Sequence, residues 1–240
     1  MLHLHKFKKI KLVRLSYVVF IAVIFAMTGY SCKEKGGKHI NQGEIHYNID
    51  YTGIGGSISK DFLPQNLIVS FKDNKTLFEM VSPFGNSGIL NLANPEAGIF
   101  DTYFSLFTIK YFYAAEPGET FPGLKTMEGL KINKTDKTLI ICGFNCKNAE
   151  VTFPGKPGKV YEIWYTDEIN VKGSNASTPY NQIEGVLMSF VFLLDTTEVQ
   201  FTAETVYQKE IPDVLFERRD KFQRKSREEI NEFITKMINF

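Results

Sequence analysis

Residues 66–81 read NLIVSFKDNKTLFEMV, two apolar runs around the polar tetrapeptide KDNK, and this stretch decides the fold class. Asp and Asn at the centre supply turn chemistry, because their side chains bond nearby backbone and tolerate left-handed φ. The flanks are rich in β-branched and aromatic residues, so the reading is a β-hairpin. Just upstream, residues 44–51 (EIHYNIDY) alternate strictly, with Ile45, Tyr47, Ile49 and Tyr51 on one face and Glu44, His46, Asn48 and Asp50 on the other. Period-two alternation marks a half-buried strand.

The same signals continue downstream. Residues 82–95 mix turn residues with one short apolar run and predict a loop with one strand. Residues 100–113 (FDTYFSLFTIKYFY) are aromatic on both faces, which suits a strand pair buried on two sides or an aromatic flap over a cavity. LKIN at 130–133 and LIIC at 139–142, separated by KTDKT, predict a further hairpin. Residues 146–153, 160–166, 185–194 and 198–207 extend the meander, divided by Pro/Gly turns at 154–158 and a polar loop at 172–179. Aromatic content of 14%, with 21 Phe and 11 Tyr, favours strands and a large apolar interior. Only the end of the chain reads as helix. Ser226 and Glu229 form an S-x-x-E capping box. Ile230, Phe233, Ile234, Met237 and Ile238 then recur at helical spacing and put one apolar stripe toward the sheet.

The amino terminus is of another kind. Its first fourteen residues carry five Lys/Arg and no acid, and residues 15–28 are apolar apart from Ser16 and Thr28, leading through Gly29-Tyr30-Ser31 to Cys32. A basic n-region, a short h-region and small residues before a Cys are the layout of a bacterial lipoprotein precursor. Expected boundaries are a signal peptide at 1–31, a lipidated Cys32 with a polar tether to residue 42, and one β-rich domain over 43–240. Acyl chains on Cys32 would hold the chain to a membrane of the cell envelope, with the periplasmic side of the outer membrane as the expected location. A signal-anchor helix is the alternative, although the h-region is shorter than the ~20 apolar residues that span a bilayer comfortably. After residue 31 there are 23 Lys/Arg against 27 Asp/Glu, and this mildly acidic surface argues against nucleic acid as a partner.

Candidate chemistry is sparse. Cys142 and Cys146 flank Gly143-Phe144-Asn145 in an expected hairpin and read either as a disulfide formed after export or as two free buried thiols. A redox pair is disfavoured, because Cys-x-x-x-Cys in a hairpin lacks both the usual spacing and a helix dipole. Of the four His, only His46 falls in the expected domain, on the polar face of a strand, so a His-rich zinc site is excluded and an ordinary surface histidine is the reading. No nucleophile elbow, phosphate loop, dinucleotide fingerprint or zinc-protease motif occurs, and no cofactor, metal or catalytic residue is expected. Asp167, Glu168 and Glu162 are the carboxylates nearest to a pair, but adjacent strand residues point to opposite faces, so they read as solvated.

Gly43-Glu-Ile-His-Tyr, residues 140–151 (IICGFNCKNAEV), residues 164–169 (WYTDEI) and residues 211–216 (IPDVLF) together resemble envelope lipoproteins with LolA-like domains, near the GLPGLI group. At the namesake motif this chain reads Gln182-Ile-Glu-Gly-Val-Leu187 and matches at Gly185 and the apolar pair after it. The resemblance implies a mainly β (α+β) fold: a curved antiparallel sheet of roughly ten strands forming an open half-barrel, with an apolar concave face and a C-terminal helix. Carriers of that fold hold acyl chains in the concavity. On this reading Met188, Phe190 and Phe192 line an apolar ligand site, and Trp164, among polar neighbours, marks its rim or a partner contact; a strand buried on both sides gives the same run, and a core Trp under the terminal helix the same residue. The expected function is a non-enzymatic, membrane-anchored envelope lipoprotein that binds a lipid or other apolar ligand. The alternative is an envelope lipoprotein that contacts a protein partner without a small ligand.

Overall fold

The computed structural model describes residues 39–52, 63–85, 87–194 and 197–239, with side chains as far as 236. Cys32, the leader and most of the expected tether lie outside the described residues, as do the side chains of Met237 and Ile238. Among the described residues twelve strands form one sheet: β1 (Gln42–Thr52), β2 (Asn66–Lys72), β3 (Lys75–Val81), β4 (Ser87–Asn94), β5 (Ile99–Leu106), β6 (Ile109–Ala114), β7 (Lys131–Ile141), β8 (Phe144–Thr152), β9 (Tyr161–Thr166), β10 (Val186–Leu194), β11 (Thr197–Tyr207) and β12 (Gln223–Arg224). Their spatial order is 12-6-5-4-3-2-1-11-10-9-8-7, so two antiparallel meanders meet where β1 pairs with β11. The sheet is a curved, open half-barrel, with β12 and β7 as its two edges. One helix, α1 (Arg227–Asn239), ends the chain.

The opening hairpin forms with Lys72 paired to Lys75, and Asp73 takes φ 54° in the turn. Short polar side chains occupy that left-handed region at the lowest cost after glycine. The aromatic stretch at 100–113 is the strand pair β5–β6, turning at Phe107 with φ 51°. The capping box is present: Ser226 Oγ accepts from the Glu229 amide at 3.2 Å, and the Glu229 carboxylate accepts from the Ser226 amide at 2.9 Å.

Two expectations are corrected. LKIN and LIIC are not two strands of a hairpin but the two ends of one strand, β7, whose register against β8 shifts between Lys134 and Thr138. KTDKT contains no Gly and two β-branched Thr, and Thr135 Oγ1 donates to Asn148 Oδ1 at 2.7 Å, so the segment forms a bulge and not a turn. The chain also joins the fold before Gly43. Ile40 is buried and bridges Ile169, while the Asn41 carbonyl accepts from the Asp73 amide at 2.7 Å.

Candidate functional site

Directly opposed residues in neighbouring strands share a face of a sheet. Pairing therefore traces one row across seven strands: Ala203, Tyr47, Leu67, Met80, Ile89, Phe104 and Tyr111. Every member is apolar or aromatic, and this inner face is where the site is to be sought. Two covers lie on it. α1 packs Ile230 and Ile234 against Phe104, with the Phe233 ring 4.8 Å from Tyr111. At the other end Tyr180, from the segment between β9 and β10, lies fully buried beside Phe190 and Phe192 with ring centroids 6.3 and 6.2 Å away. Between the covers Phe78, Met80 and Ile89 are only partly buried.

A narrow slot opens where residues 171–175 cross β1, β2 and β3. Ile45, Tyr47, Val69, Phe71, Phe78 and Phe190 form half of its wall, and it leaves about 20 Å³ of free space. That holds one water and no acyl chain. The polar groups around it are tied down. Tyr47 donates to the Leu187 carbonyl at 2.7 Å, and the Tyr180 hydroxyl donates to the Val191 carbonyl. Burial raises both phenols above their ordinary pKa, so they remain neutral donors. Asn175 Nδ2 donates to the Ile183 and Gly185 carbonyls at 2.9 and 2.8 Å, folding the crossing segment on itself. Gly185 is required there, because at φ 113° a Cβ would meet the Thr166 carbonyl oxygen at 2.6 Å.

The expected site residues divide. Met188 is fully buried, and Phe190 and Phe192 belong to a closed aromatic cluster, Phe190 stacking on Phe201 at 4.8 Å. They are packed core, the second of the two readings of this strand, and of the three only Phe190 also reaches the wall of the slot. Trp164 is opposed to Ser189 and Asn148, so it lies on the other face from Phe190 and does not rim the same hollow. Cys142 and Cys146 are free thiols, and the expected disulfide is not formed. The β7–β8 hairpin closes with Ile141 paired to Phe144, which makes Cys142 and Gly143 the turn in place of Gly-Phe-Asn, and the sulfurs take separate partners. Cys142 Sγ lies 3.4 Å from the Ala203 carbonyl and Cys146 Sγ 3.5 Å from that of Phe144. Burial pushes the Cys146 thiol up to about 11.

The carboxylates do not converge. Asp167 pairs with Lys147 at 2.7 Å and Glu162 with Lys137 at 2.6 Å, while Glu168 takes the Asn145 side-chain amide at 2.7 Å. His46 is on the outer face, 3.0 Å from Glu44. Among the described residues no group of three His, Cys, Asp or Glu could hold a metal, and no helix is long and apolar enough to cross a membrane. Tyr180 and Asn175, which build the cover, went unread because PYNQ and SNAST look like polar loop; an aromatic inside such a run is the one available signal.

No protein family matches the sequence, and no curated protein does either. Solved structures do. PNGF-II in one crystal form is 17% identical over 81% of this chain and 33% of that one, with a TM-score of 0.51. This chain thus spans about a third of the PNGF-II chain it matches, and at that identity the likeness is one of fold. The LolA superfamily protein NE2245 from Nitrosomonas europaea matches over 74% of this chain and 90% of that one at 10% identity and a TM-score of 0.32. LprF from Mycobacterium bovis matches over 71% and 88% at 14% identity and a TM-score of 0.27.

Proposed function

We propose that this chain is an envelope lipoprotein, anchored through acyl chains on Cys32, whose half-barrel receives a lipid or similar apolar ligand on its inner face. The observation that carries the reading is the unbroken apolar row from Ala203 to Tyr111, left partly uncovered at Phe78, Met80 and Ile89 between two covers. A sheet face that served only as core would be expected to be covered along its whole length. With only about 20 Å³ free beside it, a ligand enters by displacing a cover, and the binding free energy has to include that displacement.

A fluorescent fatty acid titrated into the purified chain tests this. Saturable uptake near one equivalent, competed by unlabelled fatty acid and lost in Met80→Asp at unchanged folded content, is the expected result. Absence of uptake by the folded wild type would sink it. The tight packing of Phe190, Phe192 and Tyr180 favours a second reading, in which the half-barrel is a solid scaffold for a protein partner.

A further inference from the structure

The β7 edge raises a separate question. Free strand edges are usually blunted by charge and by bulges. The first part of β7 follows that rule, with Lys131, Lys134 and Lys137 and the bulge before Thr138. Its last part does not. Leu139 and Ile140 are adjacent, on opposite sides of the strand, and 48% and 69% exposed. This unguarded tip is close to where the described chain begins. Ile140 is paired with Asn145, the Asn145 side chain donates to Glu168 at 2.7 Å, and the Glu168 carbonyl accepts from the Ile40 amide at 3.3 Å.

We infer that the tip of the β7–β8 hairpin is a membrane-contact surface, and that its partner is the bilayer interface in which the acylated Cys32 is held. The inference rests on the lipoprotein reading above. Cys32 precedes His39 by seven residues, so chain length alone limits its distance from the start of the fold to about 25 Å. A tether that short keeps the surface beside Ile40 within reach of the membrane. Two aliphatic side chains suit the boundary between headgroups and acyl chains. Lys137 and Lys147 are already paired with Glu162 and Asp167, so the contact is predominantly apolar and works on zwitterionic lipid.

The test uses the full chain, processed in a bacterial host and reconstituted into phosphatidylcholine vesicles with brominated acyl chains, which quench nearby tryptophan. Ile140→Trp places a reporter on the tip, and Val160→Trp places one at another exposed apolar position, 55% accessible just before β9. The unsubstituted chain supplies the Trp164 background. The expected result is loss of emission in I140W and none beyond background in V160W. Vesicle-bound I140W without quenching, or equal quenching in both variants, would overturn the membrane contact while leaving the anchor intact. If the processed chain fails to float with the vesicles while a control lipoprotein does, the lipid anchor itself is refuted and the contact falls with it.

Discussion

Asp101 shows how much rides on single residues that sequence patterns do not expose. Its carboxylate is fully buried on the outer face, accepts from Arg218 Nε at 2.7 Å and Nη2 at 3.0 Å, and takes the Tyr103 hydroxyl at 2.7 Å. A two-toothed guanidinium contact satisfies both oxygens and pins residues 211–222 over Leu77, Leu92 and Tyr103. Arg218→Ala leaves the buried charge without its cation. Because Arg218 is itself half exposed, the expected loss is about 2–3 kcal/mol, below the ~3–5 of a fully buried pair, read as a lower denaturant midpoint. Nothing in FDTYFSLF announces a partner 117 positions away, so this contact was illegible. Glu79 is the opposite case. Burial raises its pKa in the folded state, with Arg219 only partly offsetting the effect. A raised carboxyl pKa means the folded protein holds its proton to higher pH than the unfolded chain does, so stability falls as pH rises from the unfolded value through the folded one. Glu79→Gln is therefore expected to stabilise at pH 7 and to lose that advantage near pH 3, in melts run at both. Cys146 is predicted to be slow: with its thiol pushed up to about 11, roughly one molecule in a thousand is thiolate at pH 8. Alkylation of the native protein as fast as that of the denatured protein would contradict the burial assigned here.

Elements were legible where local chemistry agreed with tertiary need. The β2–β3 hairpin has both turn residues and alternation, and the capping box of α1 is written in four consecutive residues, 226–229. Ser226→Ala removes the acceptor for the Glu229 amide and is expected to cost about 1 kcal/mol, seen as loss of helix ahead of the sheet in a thermal scan. KTDKT failed because a polar run is ambiguous: the Asn148 and Glu162 that hold it extended belong to other strands. The 167–185 cover failed for a related reason. Asn, Ser and Thr read as solvated loop, yet Asn175 and Thr178 spend their polar groups on backbone carbonyls of the same segment and allow Tyr180 to enter the core. In α1, burial of Ile230 and Ile234 follows the expected stripe.

At the scale of the whole molecule, period-two alternation predicted half-buried strands, the half-barrel with an apolar concave face was what the resemblance implied, and the sheet is built of two meanders joined at β1 and β11. Whether its inner face is empty or filled could not be read, because an apolar strand looks the same under a ligand and under its own side chains. Phe190 illustrates the point. At 1% exposure, between Phe201, Phe192 and Tyr180, it is core in this conformation, and Phe190→Ala is expected to cost about 3–5 kcal/mol by chemical denaturation. Met80, partly buried in the gap between the covers, should cost less on truncation and should change ligand retention instead. The central claim is that an apolar ligand occupies this face, and the most direct measurement is native mass spectrometry of the chain purified without added lipid from the envelope of its bacterial host. The account predicts a noncovalent adduct of lipid mass, close to one per chain, depleted in Met80→Asp while any covalent acyl mass on Cys32 is unchanged. Folded protein with no adduct, that also takes up none from added phospholipid, would contradict it.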